Sequence, residues 1–104
     1  MAELTKDADK LLCCIYKQYL ESRKAGKSKF DSKKFYESFY KNDKHIGDWT
    51  DDDISETLIE LHKSQYIRLD IAGNFMITDS MIIYMENRFK NGLLDVLDVI
   101  SKFT

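Results

Sequence analysis

Two cysteines and two histidines are the whole supply of thiol and imidazole side chains in this 104-residue chain. Cys13 and Cys14 are adjacent inside a helical pattern, where neighbouring side chains point about 100° apart. They do not bridge easily and bring no further ligands to a zinc ion, so they read as reduced helix cysteines. His45 stands in a polar turn and His62 flanks an amphipathic segment; neither falls in a nucleophile or metal motif. The four glycines are scattered and form no phosphate-cradling loop. Asp51-Asp52-Asp53 is an acidic run, but three carboxylates in the first turn of a helix answer the positive end of its dipole. Catalysis, a metal and a cofactor are therefore not expected, and the chemistry left to the chain is binding.

Charge is spread unevenly. From Asp48 to Glu60 come six acids (Asp48, Asp51, Asp52, Asp53, Glu56 and Glu60) and no base. Arg23, Lys24, Lys27, Lys29, Lys33 and Lys34 cluster further upstream, and Lys41, Lys44 and His45 follow. The formal net charge of −2 counts against general duplex binding, because phosphate-binding domains are usually basic. A hydrophobic share of 43% with 12% aromatics describes a folded chain rather than a disordered one, and the length suits one domain. No secretory apolar segment follows Met1 and no apolar run is long enough to span a bilayer. A cytoplasmic protein without a membrane partner is expected.

Positioning these side chains falls to helices whose starts share one phrase. Phe30-Asp31 leads to Phe35, Trp49-Thr50 to Ile54, and Ile77-Thr78 to Ile82. Each reads as an N-cap whose neighbouring apolar residue staples onto the next turn. Helix one runs from about Thr5 to Arg23, with Leu4, Ala8, Leu11, Leu12, Ile15 and Tyr19 on one face. Its second stripe, Cys13, Tyr16 and Leu20, is either the edge of a wide core contact or part of an interface. Helix two spans Ser32 to Lys41 and helix three Asp51 to Ser64, with Ile54, Leu58, Leu61 and Gln65 as the inward line. Ile67, Leu69 and Ile71 then alternate with polar residues as a strand, Ala72-Gly73-Asn74 turns the chain, and Phe75 to Ile77 returns. A last helix starts after Thr78 and runs to about Lys102; Gly92 marks a bend in it or a close approach by another backbone. The expected fold is mainly α with a small β-hairpin: a helix-turn-helix followed by a wing, in a single domain 1–104 with 79–103 as its C-terminal helix.

Ile54-x3-Leu58-x2-Leu61-x4-Tyr66-Ile67, followed by Phe75-Met76-Ile77-Thr78-Asp79 and a helix containing Tyr84-Met85-Glu86, resembles small bacterial and archaeal winged-helix domains. In these the third helix runs into a glycine-tyrosine-isoleucine strand start and the return strand ends in leucine-threonine. Gln65 stands where that glycine is common, and Ser80-Met81 where lysine-glycine is usual. The resemblance implies a short strand before helix two, for which Ser28 to Phe30 is placed. It also implies a third helix in the DNA major groove, a wing on the neighbouring groove or backbone, and pairing through terminal helices. On that basis the expected function is a DNA-binding transcriptional regulator.

The candidate phosphate contacts are Lys27, Lys29, Lys33, Lys34 and Lys44, with Arg68 on the wing; such contacts position a protein without reading sequence. The outward face of helix three, Asp52, Glu56, Ile59 and Lys63, disfavours a duplex that carries a phosphate about every 1.7 Å. The same four residues form the alternative, a protein-interaction face with Ile59 as an apolar anchor among acids, suited to a basic partner. A third reading is an antagonist that imitates nucleic acid. Leu93, Val96, Leu97, Ile100 and Phe103 exceed what a small domain is expected to cover and are the candidate homodimer contact.

Overall fold

Helix α1, Lys6–Lys24, is the longest element of the computed structural model, which describes residues 3–103. Thr5 caps it, its Oγ1 accepting from the Ala8 amide at 3.2 Å, and Asp9 in its first turn accepts from the Arg88 guanidinium (Nη2 to Oδ2, 3.0 Å). Leu11 to Tyr16 are all buried, so both apolar stripes of α1 lie in the core. The second stripe is covered from within the chain: Tyr16 stacks on Phe89 with ring centroids 6.2 Å apart.

The segment between α1 and the turn at residue 43 departs from the expected strand and single helix. Ser28, not Asp31, is the cap: its Oγ accepts from the Asp31 amide at 3.1 Å and opens the short helix α2, Lys29–Ser32. Lys34–Phe35 then forms strand β1, and only Ser38–Asn42 is helical, as α3. A strand wins over a helix here because Phe35 gains a partner across the sheet. It lies opposite Phe75 and stacks on it, centroids 4.9 Å apart and planes within 8°; such a cross-strand aromatic pair contributes about 0.5–1 kcal/mol.

Helix α4, Asp51–Lys63, begins where the cap-and-staple phrase places it, with Thr50 Oγ1 accepting from the Asp53 amide at 3.1 Å. Strands β2, Ile67–Leu69, and β3, Phe75–Ile77, follow as an antiparallel hairpin. With β1 they make a three-stranded antiparallel sheet of order β1-β3-β2. The expected continuation of β2 to Ile71 does not occur. Asp70 Oδ1 accepts from the Ala72 and Asn74 amides (2.8 and 3.0 Å) and closes the turn, leaving Ile71 fully exposed at the tip.

The single long last helix is also corrected. Thr78, whose Oγ1 accepts from the Met81 amide, starts α5, Asp79–Arg88, and α6, Leu93–Ser101, follows a break. Gly92 is the break: its φ of +64° with ψ of −124° is backbone that glycine adopts readily. The Asp95 carboxylate accepts from the Asn91 amide at 3.0 Å and secures the new start. The chain reverses there and α6 packs along α1. Val96 and Ile100, expected at a homodimer contact, are buried in this intrachain core; Leu93 and Phe103 are half-buried against it, and Leu97 is partly exposed. The molecule is thus mainly helical around a small sheet, and among the described residues no helix is long and apolar enough to cross a membrane.

Ile100→Ala is expected to lower unfolding free energy by about 2–4 kcal/mol through the cavity it leaves against the core. Leu97→Ala, one turn away but partly exposed, should cost less than about 1 kcal/mol. Urea unfolding followed by circular dichroism separates the two; equal costs would mean that α6 does not pack as described.

Candidate interaction surface

The outer face of α4 is built by its inner one. Ile54, Leu58 and Leu61 are buried, and Thr57 is tucked in with its Oγ1 donating to the Asp53 carbonyl at 2.7 Å. That rotation turns Asp52, Glu56, Ile59 and Lys63 outward, and all four are exposed, Ile59 at 45%. Asp51 and Asp53 are exposed beside them. Glu60, unlike these acids, braces the fold. Its carboxylate accepts from the Thr5 amide at 2.8 Å and the Thr5 hydroxyl at 2.7 Å, tying α4 to the start of α1. The expected protein-interaction face is therefore assembled on one surface. Its sign comes from carboxylates that also stabilise the helix start.

The end of α4 sets the angle between this face and the hairpin. The Gln65 amide donates to the His62 carbonyl at 3.0 Å and the Tyr66 amide to the Leu61 carbonyl at 3.1 Å. These two bonds satisfy the last carbonyls and require a left-handed residue between them. Gln65 supplies it, with φ of +68°, and is exposed beyond the end of α4 rather than on its expected inward line. This is the position where the resembling domains commonly carry glycine. His62 has a structural partner too, its Nδ1 accepting from the Leu69 amide at 3.2 Å. The hairpin is held from its other side by Tyr40, whose hydroxyl donates to the Gly73 carbonyl at 2.6 Å; burial first, and Asp70 and Glu37 after it, push that phenol well above its ordinary range.

The six candidate phosphate contacts are not gathered in one cleft. Lys33 and Arg68 line a groove beside the hairpin, where Lys33 Nζ lies 2.8 Å from Asp79 Oδ1. Lys29 approaches the same carboxylate at 3.9 Å. The hydrogen bond and charge of Lys33, helped by Lys29, hold Asp79 below the usual carboxylate range. Lys27, Lys34 and Lys44 line a second cleft, between α1 and α3, and Lys34 also lines a groove with Arg68, both lying opposite Met76 across the sheet. Arg68 is exposed on β2 opposite Met76, one cation on a three-residue strand.

Nucleophilic chemistry has no accessible group in the thiols. Cys13 and Cys14 are free and fully buried, and burial, reinforced by Asp9 for Cys13 and by Asp43 for Cys14, pushes each thiol up to about 12. No cluster of His, Cys, Asp and Glu suited to a metal ion occurs among the described residues. Comparison with family models, with curated proteins and with solved structures gives no match to this chain.

Sequence reasoning missed that Ser32, Tyr36 and Phe39 border one cleft, because it placed all three on one continuous helix. His45 lies in a turn as expected, its amide donating to Asp43 Oδ1 at 2.8 Å, but the burial of its Nε2 was not anticipated.

At pH 8 a thiol-specific disulfide reagent should modify neither cysteine in the folded protein and both after denaturation, because the thiolate is the reactive form; rapid native modification of either would contradict its burial. Gln65→Gly should raise unfolding free energy by about 0.5–1 kcal/mol by relieving the left-handed strain, net of glycine's greater freedom in the unfolded chain. Thermal melts compared with Gln65→Ala, which keeps the strain, check the cause.

Proposed function

We propose that this chain is a winged-helix regulatory module whose α4 docks a basic segment of a partner protein. The fold part of the reading is supported by the succession α1, β1, α3, α4, β2, β3 and by the antiparallel order β1-β3-β2. In that arrangement α3 and α4 are the helix-turn-helix and the β2–β3 hairpin is the wing. The observation that carries the choice of partner is the outward face of α4. Asp51, Asp52, Asp53 and Glu56 are exposed together beside Ile59, and no base occurs between Asp48 and Glu60. A duplex brought to this face meets repulsion, whereas a cationic protein surface meets opposite charge around one apolar anchor. The module is non-catalytic in this reading, and its two free, buried thiols suit a reducing cytoplasm.

Duplex binding is the second reading. It is favoured by Lys27, Lys34 and Lys44, which face one cleft and make no ion pair among the described residues.

Fluorescence anisotropy with a random duplex and with a lysine- and leucine-containing helical peptide separates the two. Docking through α4 predicts saturable peptide binding, weakened at least about fivefold by Glu56→Lys and by Ile59→Glu, and no saturable duplex binding even at about 20 mM salt. Duplex binding that falls steeply with salt and is weakened by Lys34→Glu and Lys44→Glu would overturn the protein-docking reading.

A further inference from the structure

The cleft between α1 and α3 gathers what the rest of the surface scatters. It encloses about 480 Å³, within the roughly 300–1,000 Å³ of small-molecule sites. Four separate segments each send it a lysine: Lys17 from α1, Lys27 from the following loop, Lys34 from β1 and Lys44 from the turn after α3. Two of these are held in place, Lys17 Nζ 3.0 Å from Glu21 Oε1 and Lys34 Nζ 4.0 Å from the Phe30 ring centre. Asp31 and Asp43 also line the cleft. Four lysines against these two carboxylates and Glu21 leave an excess of one positive charge.

Two buried polar atoms single this cleft out. Among the described residues, Ser32 Oγ and His45 Nε2 are the buried side-chain nitrogen and oxygen atoms without a hydrogen-bond partner, and both residues line the same cleft. Ser32 is 3% exposed. Native proteins pair nearly all such groups, so two orphans beside one concavity point to an occupant that supplies their partners. Both atoms are buried in this structure while their residues line the cleft, so an occupant reaches them through turns of the two side chains. Tyr36, exposed, and Phe39, half-buried, add aromatic walls.

We propose that this cleft binds a small aromatic anion, a single carboxylate or phosphate group on a flat apolar body. The anionic head takes the Ser32 hydroxyl and His45 Nε2, Lys27 and Lys44 supply opposite charge, and the ring lies against Tyr36 and Phe39. No residue of α4 lines the cleft, so the site is independent of the docking face proposed above and makes the module responsive to a small ligand.

Amide NMR titrations of the full chain with benzoate, phenyl phosphate, inorganic phosphate and benzyl alcohol test this. Benzoate or phenyl phosphate should shift the Ser32, Tyr36 and His45 amides saturably with a Kd below about 1 mM. Inorganic phosphate and the neutral alcohol should bind at least about tenfold more weakly, because each lacks one half of the recognised chemistry. Lys44→Glu and Ser32→Ala should each weaken binding at least about fivefold. Removing an unpartnered buried hydroxyl leaves the melting temperature unchanged or higher, so Ser32→Ala reads binding rather than folding. Absence of saturation would overturn the proposal, as would equal binding of inorganic phosphate or unchanged binding in both variants. A short duplex shifting the same amides in place of the aromatic anions would overturn it in favour of nucleic acid.

Discussion

The middle of α1 has no solvent face, and the rest of the molecule is arranged to cover it. Leu11 to Tyr16 are six consecutive buried residues, and at 3.6 residues per turn they point in every direction around the helix. No single partner can bury such a stretch. α4 packs along α1 on one side and α6 on another, while Ile46 and Ile77 join the same buried cluster from the turn and the sheet. The break at Gly92 serves this demand: it lets α6 pack along α1 with Val96 and Ile100 buried in the same core. Two apolar excesses, the second stripe of α1 and the surplus of the C-terminal segment, are both taken up in the one intrachain core.

The orientation of α4 rests on local bonds at both ends. Thr50 caps its first turn, Glu60 ties it to the start of α1, and Gln65 and His62 secure it toward the hairpin. With both ends held, the outward row Asp52, Glu56, Ile59 and Lys63 is presented by a rigid element, which reduces the ordering cost of docking a partner. The acidic first turn serves helix stability and surface charge with the same atoms. The lysines divide differently: Lys29 and Lys33 are drawn to Asp79 at the start of α5, whereas Lys27, Lys34 and Lys44 surround the cleft beside α3.

Legibility followed the range of the forces involved. Caps are local, so Thr50 and Thr78 were readable from a few neighbouring residues, and the hairpin turn from Ala72-Gly73-Asn74. Glycine chemistry was partly readable: Gly92 signalled a bend without saying how sharp, and Gln65 occupied the left-handed position that glycine commonly holds in the resembling domains. The same cap-and-staple phrase misled at Phe30-Asp31, because Ser28 three residues earlier competes for the Asp31 amide and because Phe35 finds Phe75 forty residues downstream. Nothing within the helix window records that second contact.

The amino-acid order alone determined which segments could be helical or extended, where α1, α4 and α5 begin, that the thiols belong to a helix, and that the third long segment carries acids outward. These are set by side-chain chemistry acting over one or two turns. Tertiary packing decided that residues 34–35 pair with the sheet, that the last apolar stretch covers α1, and that lysines distant in sequence meet Ser32 and His45 around one cleft. Those outcomes depend on which surfaces are left uncovered once the chain has collapsed, and that balance is a property of the whole core rather than of any local pattern.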